Sequence, residues 1–155
     1  MQFQQITGIS FLSALLIVTA SIAQERKIKR SDLPPAVEAT VAAQSTGASI
    51  KGFSVEKEDG KTFYEAEMVI NGHSKDILMD ATGAVVEVEE EVAIGELPPD
   101  VRTGLLTMAG SAKITKVESL TKRGQLVAYE AQIVKDGKKS EVQVGPNGKP
   151  LAHQE

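Results

Sequence analysis

Two histidines and a set of carboxylates are the side chains in this sequence that could carry chemistry. Cysteine is absent from the 155 residues, which excludes a disulfide framework, a thiolate nucleophile and a cysteine-based zinc site. His73 directly follows an Asn-Gly pair, which is typical of a solvated turn, and His153 lies near the end of the printed sequence. A nucleophile needs a base within hydrogen-bond reach, and neither histidine lies in a pattern that supplies one. We therefore predict a protein that is not an enzyme and has no catalytic residues.

Two short segments carry polar side chains at alternating positions. Glu65 and Glu67 alternate with apolar residues in one segment, and Glu130 and Gln132 do so in the other. Strict alternation predicts strands with one solvent-facing side. Paired carboxylates perform acid–base catalysis only where their environments drive their pKa values apart, and we expect an open, solvated face instead. These four residues are therefore candidate contacts for a partner protein.

An acidic run over Glu87, Glu89, Glu90 and Glu91 raises the possibility of a cation site. Hard cations such as calcium need six to eight converging oxygens, and the spaced Asp/Asn/Gly loop that supplies them is absent here. We expect a solvated edge strand whose charges discourage pairing with other strands. No metal ligand and no cofactor is therefore predicted.

The sequence repeats itself after about 64 residues. Residues 32–37 (DLPPAV) match residues 96–101 (ELPPDV), and residues 64–66 (YEA) match residues 129–131 (YEA). Three glycines also recur in the same order in both copies, at 60, 72 and 83 and at 124, 137 and 148. Such ordered matches predict two copies of one structural unit.

Each copy has the pattern of one helix followed by strands. Paired prolines suit the start of a helix, where a missing N–H costs nothing. Apolar residues then recur every four positions: Leu33, Val37 and Val41, and Leu97, Val101 and Leu105. Asn71-Gly72 and Asp136-Gly137 predict tight hairpin turns. We predict an α+β fold of two tandem units, each a helix followed by three to four antiparallel meander strands, with the helices packed on one sheet face. The two sheets would be joined edge to edge or packed side by side.

The N-terminal segment has the features of a signal peptide. Residues 9–20 are apolar but shorter than the roughly 20 residues of a membrane span. Ser21 and Ala23 are small residues at the −3 and −1 positions of a cleavage site. We predict a signal peptide over 1–23 cut after Ala23, a basic linker over 24–31, and units over 32–93 and 94–155. The mature protein would be periplasmic or secreted and would retain no transmembrane span. The alternative is an uncleaved anchor, because residues 1–8 contain no Lys or Arg.

Charge is distributed unevenly between the two predicted units. Residues 32–93 carry a net charge of −9, and residues 94–155 carry +2. An acidic first unit could present its charge to a basic partner, since complementary charge raises association rates. Attraction between the units, or drift, would explain the same asymmetry. The overall charge of −4, without an aromatic-interleaved basic patch, argues against a nucleic-acid partner.

Three features together resemble the PepSY family, and more narrowly the PepSY-like group related to the β-lactamase inhibitor protein. They are the motif at 33–35 (LPP) with its short helix, the strand around Tyr64, and the turn from Asp80 to Gly83. The second copy repeats the first two features but has residues 145–148 (GPNG) in place of the aspartate turn. The resemblance implies an exported protein with a non-catalytic role, in protease inhibition, β-lactamase inhibition or envelope sensing.

The sequence therefore predicts an exported binding or inhibitory module that engages a protein partner through an exposed sheet face. The resemblance suggests a protease or another exported enzyme as that partner. The alternative is a cation- or small-ligand-binding envelope protein that uses the acidic residues of the first unit. A structural subunit of an envelope complex is a third possibility.

Overall fold

Segments of alternating or mixed polarity form strands, and the two proline-initiated segments form helices. The computed structural model describes residues 25–58 and 60–155. In chain order the elements are β1 (Arg26–Ile28), a 3-10 turn (Arg30–Asp32), α1 (Pro35–Gln44), β2 (Ser49–Glu58), β3 (Lys61–Ile70), β4 (His73–Asp80), β5 (Val85–Glu91), α2 (Pro99–Ala109), β6 (Lys113–Lys122), β7 (Gln125–Lys135) and β8 (Lys138–Val144).

Two-residue turns join several neighbouring strands. Asn71 and Gly72 both have positive φ, at 52° and 89°, and Asp136 and Gly137 have 52° and 74°. These values are those of the hairpin turns whose twist matches that of the flanking strands. The predicted hairpins at both places are confirmed.

Each helix buries one apolar stripe against the sheet. Val37 and Val41 of α1 pack on Phe53, Ala66, Met68, Ile77 and Met79, and Leu33 joins them. Val101 and Leu105 of α2, both 0% exposed, pack in a second cluster with Leu97, Ala109, Val117, Ala131, Ile133 and Val144. The strand registers place both clusters on the same side of the sheet. The opposite side is left without a helix in the described part of the chain.

The strands form one continuous sheet, and the prediction of two tandem helix-plus-strand units is therefore wrong. The eight strands of the described residues pair antiparallel with their sequence neighbours in the order β1 to β8. At the junction of the predicted units, Glu87 to Glu91 of β5 pair with Lys122 to Glu118 of β6. This pairing satisfies backbone groups that would otherwise line two exposed edges. The described part of the chain is mostly sheet, with two helices on one face.

The acidic run also differs from expectation. β5 lies between β4 and β6, so the prediction of a solvated edge strand is wrong. The segment predicted as a basic linker contains β1, which pairs with Phe53 to Val55 of β2. The predicted signal peptide and its cleavage site lie outside the described residues. Among residues 25–58 and 60–155, no helix has the length and apolar character needed to cross a membrane.

Candidate functional site

The sheet face opposite the helices collects most of the strand carboxylates, and we refer to it as the acidic face. Ala66 and Met68 point into the helix-side core, so their neighbours in β3 point to the other side. Matching registers extend this face across β2 to β8. Its carboxylates include Glu56, Glu65, Glu67, Asp76, Glu87, Glu89, Glu118 and Glu130.

All four predicted contact residues lie on the acidic face, but the structure does not gather them into one cluster. Glu65 and Glu67 are on β3, whereas Glu130 and Gln132 are on β7, with three strands between them. Each also has a neighbour within the protein. The Ser54 hydroxyl donates to Glu65 Oε2 at 2.8 Å, and Gln132 Nε2 donates to Glu118 Oε2 at 3.4 Å. Glu130 accepts a bond from Gln143 Nε2 at 2.7 Å.

A cavity of about 240 Å³ opens on the acidic face over β2 to β5. Every residue that lines it except Leu78 carries a carboxylate: Glu25, Glu56, Glu65, Asp76, Glu87 and Glu89. Of these, only Glu65 was among the predicted contacts. Sequence reasoning missed the others because they come from four separate segments that only the strand registers align. The alternation of Glu87 and Glu89 with Val86 and Val88 was the available signal.

Two of the carboxylates that line this cavity also meet a third, Glu118, beside it. Asp76, Glu89 and Glu118 come from β4, β5 and β6, and each offers an oxygen within 4.8 Å of the other two. Glu118 is only 4% exposed, and Lys116 Nζ lies 2.5 Å from its Oε1. Carboxylate oxygens are ligands for hard cations, but here one lysine already offsets part of the charge. We refer to these three carboxylates as the acidic triad.

Burial raises the pKa of several carboxyl groups on this face. It raises the pKa of Glu89 to about 8, with the charges of Glu118 and Glu87 adding to the effect. Burial is also the main cause of the raised pKa of Asp76, and of Glu65, where the Ser54 hydrogen bond opposes it. The four predicted contact residues, Glu65, Glu67, Glu130 and Gln132, are each half-buried, so this face is less open to solvent than expected. A nearby positive charge, or a bound proton, therefore stabilises the partly buried carboxyl groups of the acidic face.

The two histidines lie away from this arrangement. His73 is the first residue of β4 and is exposed, and His153 is also exposed. Neither lines the cavity.

No family model matches this sequence, and no curated protein is significantly similar to it. Solved structures do share its architecture. The chain has the fold of a BLIP-like protein from Bacteroides fragilis, with a TM-score of 0.57 and 21% identity over 77% of this chain and 83% of that one.

Two other solved structures share the same fold. A DUF2874 family protein from Bacteroides ovatus matches with a TM-score of 0.60 and 19% identity, over 77% of this chain and 84% of that one. A candidate periplasmic protein from Bacteroides eggerthii matches with a TM-score of 0.63 and 17% identity, over 79% and 88%. At these identities the matches establish a BLIP-like fold and not a shared activity.

Proposed function

We propose that this chain is an exported, non-catalytic binding protein whose acidic face takes up basic side chains of a protein partner. The carboxylate-lined cavity over β2 to β5 carries the proposal. Its single apolar lining residue, Leu78, would contact the aliphatic stem of a lysine or arginine, while the surrounding carboxylates would receive the charged end.

The protonation behaviour of the cavity supports a cationic occupant. Burial raises the pKa of both Glu65 and Glu87. The ionised form of each carboxyl group is therefore unfavourable unless a positive charge lies nearby. A guanidinium or ammonium group placed among them would offset the same repulsion that a proton offsets. An anionic or neutral partner surface would leave the repulsion in place. Electrostatics therefore select for a basic partner.

The predicted export of the protein and its resemblance to the PepSY-like group are consistent with the proposed binding role. The sequence features of residues 1–23 predict a signal peptide, and one protein that shares the fold is a candidate periplasmic protein. Another protein that shares the fold is described as BLIP-like. We propose that the chain is similar to the PepSY-like group related to the β-lactamase inhibitor protein, as its two Leu-Pro-Pro motifs suggest. A protease or another exported enzyme would then be the protein that it engages.

The proposal can be tested with a lysine-rich decapeptide as the probe. We expect the mature chain to bind this peptide by fluorescence anisotropy, and the affinity to fall steeply as salt increases. The double variant Glu65→Gln/Glu87→Gln removes the two lining carboxylates that flank Leu78, on β3 and β5, and should weaken binding at least tenfold. The double variant Glu96→Gln/Asp100→Asn removes the same charge from exposed positions at and before α2, and should bind like the parent.

Equal weakening by both double variants would contradict a localised site, and absence of peptide binding at low salt would contradict the proposal itself. The same proteins distinguish the small-cation alternative. If Ca²⁺ raises the melting temperature by several degrees and the lysine-rich peptide does not bind, the acidic face serves a metal ion instead of a protein.

A further inference from the structure

Within residues 25–58 and 60–155, the outer edge of β8 pairs with no other strand over most of its length. β8 pairs with β7 along one side through seven register pairs, from Lys135↔Lys138 to Tyr129↔Val144. On its other side, the described residues provide only an isolated bridge from Val144 to Pro150. Residues 138–141 are all exposed. An open strand edge is a template for pairing with another strand.

The hairpin geometry determines which backbone groups point outward from this edge. Asp136 and Gly137 form a two-residue turn, so the pair that closes it, Lys135↔Lys138, is the hydrogen-bonded kind. Bonded and non-bonded pairs alternate along an antiparallel ladder, and no bulge interrupts this one. The N–H and C=O groups of Lys139 and Glu141 therefore point away from β7.

Among the residues with outward backbone groups, Lys139 and Glu141 carry opposite charges and Gln143 is neutral. In an antiparallel pair of identical β8 strands related by a two-fold axis at Ser140, Lys139 of each copy stands opposite Glu141 of the other. Both of these pairs are then of the hydrogen-bonded kind, which gives four backbone hydrogen bonds and two cross-strand ion pairs. A register centred on Glu141 would instead place two glutamates directly opposite each other, which is unfavourable.

From this agreement of backbone direction and charge, we infer that β8 pairs with β8 of a second copy of this chain, in the register centred on Ser140. The result is a two-fold symmetric dimer with a continuous sixteen-stranded sheet. A contact of about five residues per strand is smaller than a standard protein interface, so the dimer forms at high protein concentration and dissociates on dilution. This inference is independent of the function proposed for the acidic face.

Sedimentation velocity over a wide concentration range in low-salt buffer tests the dimer. The parent chain should show a dimer fraction that grows with concentration. Glu141→Lys places lysine opposite lysine in both cross-strand pairs and should weaken dimerisation at least tenfold. Lys139→Glu places glutamate opposite glutamate in both pairs and should weaken dimerisation to a similar extent. The double swap Lys139→Glu/Glu141→Lys restores both opposite-charge pairs and should recover the parent affinity. Because these positions are exposed, all three variants should keep the parent fold, as circular dichroism can verify.

A cross-link tests the register directly. The two Ser140 residues form the central non-bonded pair, where Cα atoms lie about 4.5 Å apart, within disulfide range. The chain has no cysteine, so Ser140→Cys should give a covalent dimer on mild oxidation. Gln125→Cys, exposed at the start of β7, should not.

A parent chain that stays monomeric at the highest concentration overturns the inference. A dimer that ignores both charge reversals and does not cross-link at Ser140 uses another surface and overturns it as well.

Discussion

Replacing Glu89 with glutamine should change how stability depends on pH. Burial raises the pKa of Glu89 from its ordinary value of 4.5 to about 8 in the folded protein. Between these two values the folded protein binds more protons than the unfolded chain. The free energy of unfolding therefore falls as pH rises through this window.

The size of this effect follows from the shift in pKa. At about 1.4 kcal/mol per pH unit, the difference between 4.5 and about 8 sets an upper limit of about 5 kcal/mol. Glu89 is not fully enclosed, and solvent screening reduces the expected value to about 3 kcal/mol. Glu89→Gln cannot ionise and does not incur this penalty. Relative to the parent, the variant should gain about 3 kcal/mol between pH 5 and pH 9.

Urea unfolding of both proteins at pH 5, 7 and 9 measures this gain, and Glu96→Gln serves as a control with the same charge change at an exposed position. The free energy of unfolding of this control should change with pH in the same way as that of the parent. Some pH dependence should remain in Glu89→Gln, because burial also raises the pKa values of Glu56, Glu65, Asp76, Glu87 and Glu130. If the stability difference between Glu89→Gln and the parent is the same at pH 5 and pH 9, the reasoning about buried charge is refuted.

Further substitutions, measured by chemical denaturation, test how the core and the buried ion pair contribute to stability. Gly148→Ala should cost more than about 2 kcal/mol, because the added methyl group would collide with α2. Gly124→Ala, at a similar φ but in open space, should cost about 1 kcal/mol, and equal losses would contradict the close contact. Leu105→Ala should cost about 2–5 kcal/mol, since Leu105 is 0% exposed, and a loss below 1 kcal/mol would place it outside the core. Lys116→Met should cost about 3 kcal/mol because it leaves the buried Glu118 without its cation. Adding Glu118→Leu should recover most of that loss, and no recovery would show that the ion pair is not the cause.

Local features of the fold could be predicted because local chemistry determines them. The hairpin at Asn71-Gly72 depends on two residues that tolerate positive φ, and the buried face of α2 depends on the spacing of Val101 and Leu105. Both can be recognised in a short window of sequence.

The pairing of β5 with β6 could not be predicted, because it depends on which strand edges meet after α2 has crossed between them. The glutamates of β5 resembled the charges that protect an edge, and only the registers show them facing Leu120 and Glu118 of β6. Leu120 is buried on the acidic face, where alternation alone would place a solvated residue. The acidic triad was missed for the same reason, since its members are distant in the sequence and adjacent only across strands.

The strand order has a consequence for how the molecule can assemble. Every ladder joins strands that follow one another in the chain, even where α1 or α2 intervenes. Loop closure is cheapest between such neighbours, and the fold needs no long-range threading. A chain delivered from its N-terminus can therefore add each strand to the growing edge of the sheet as soon as it emerges. From β2 onward, each described strand emerges with its first partner already in place.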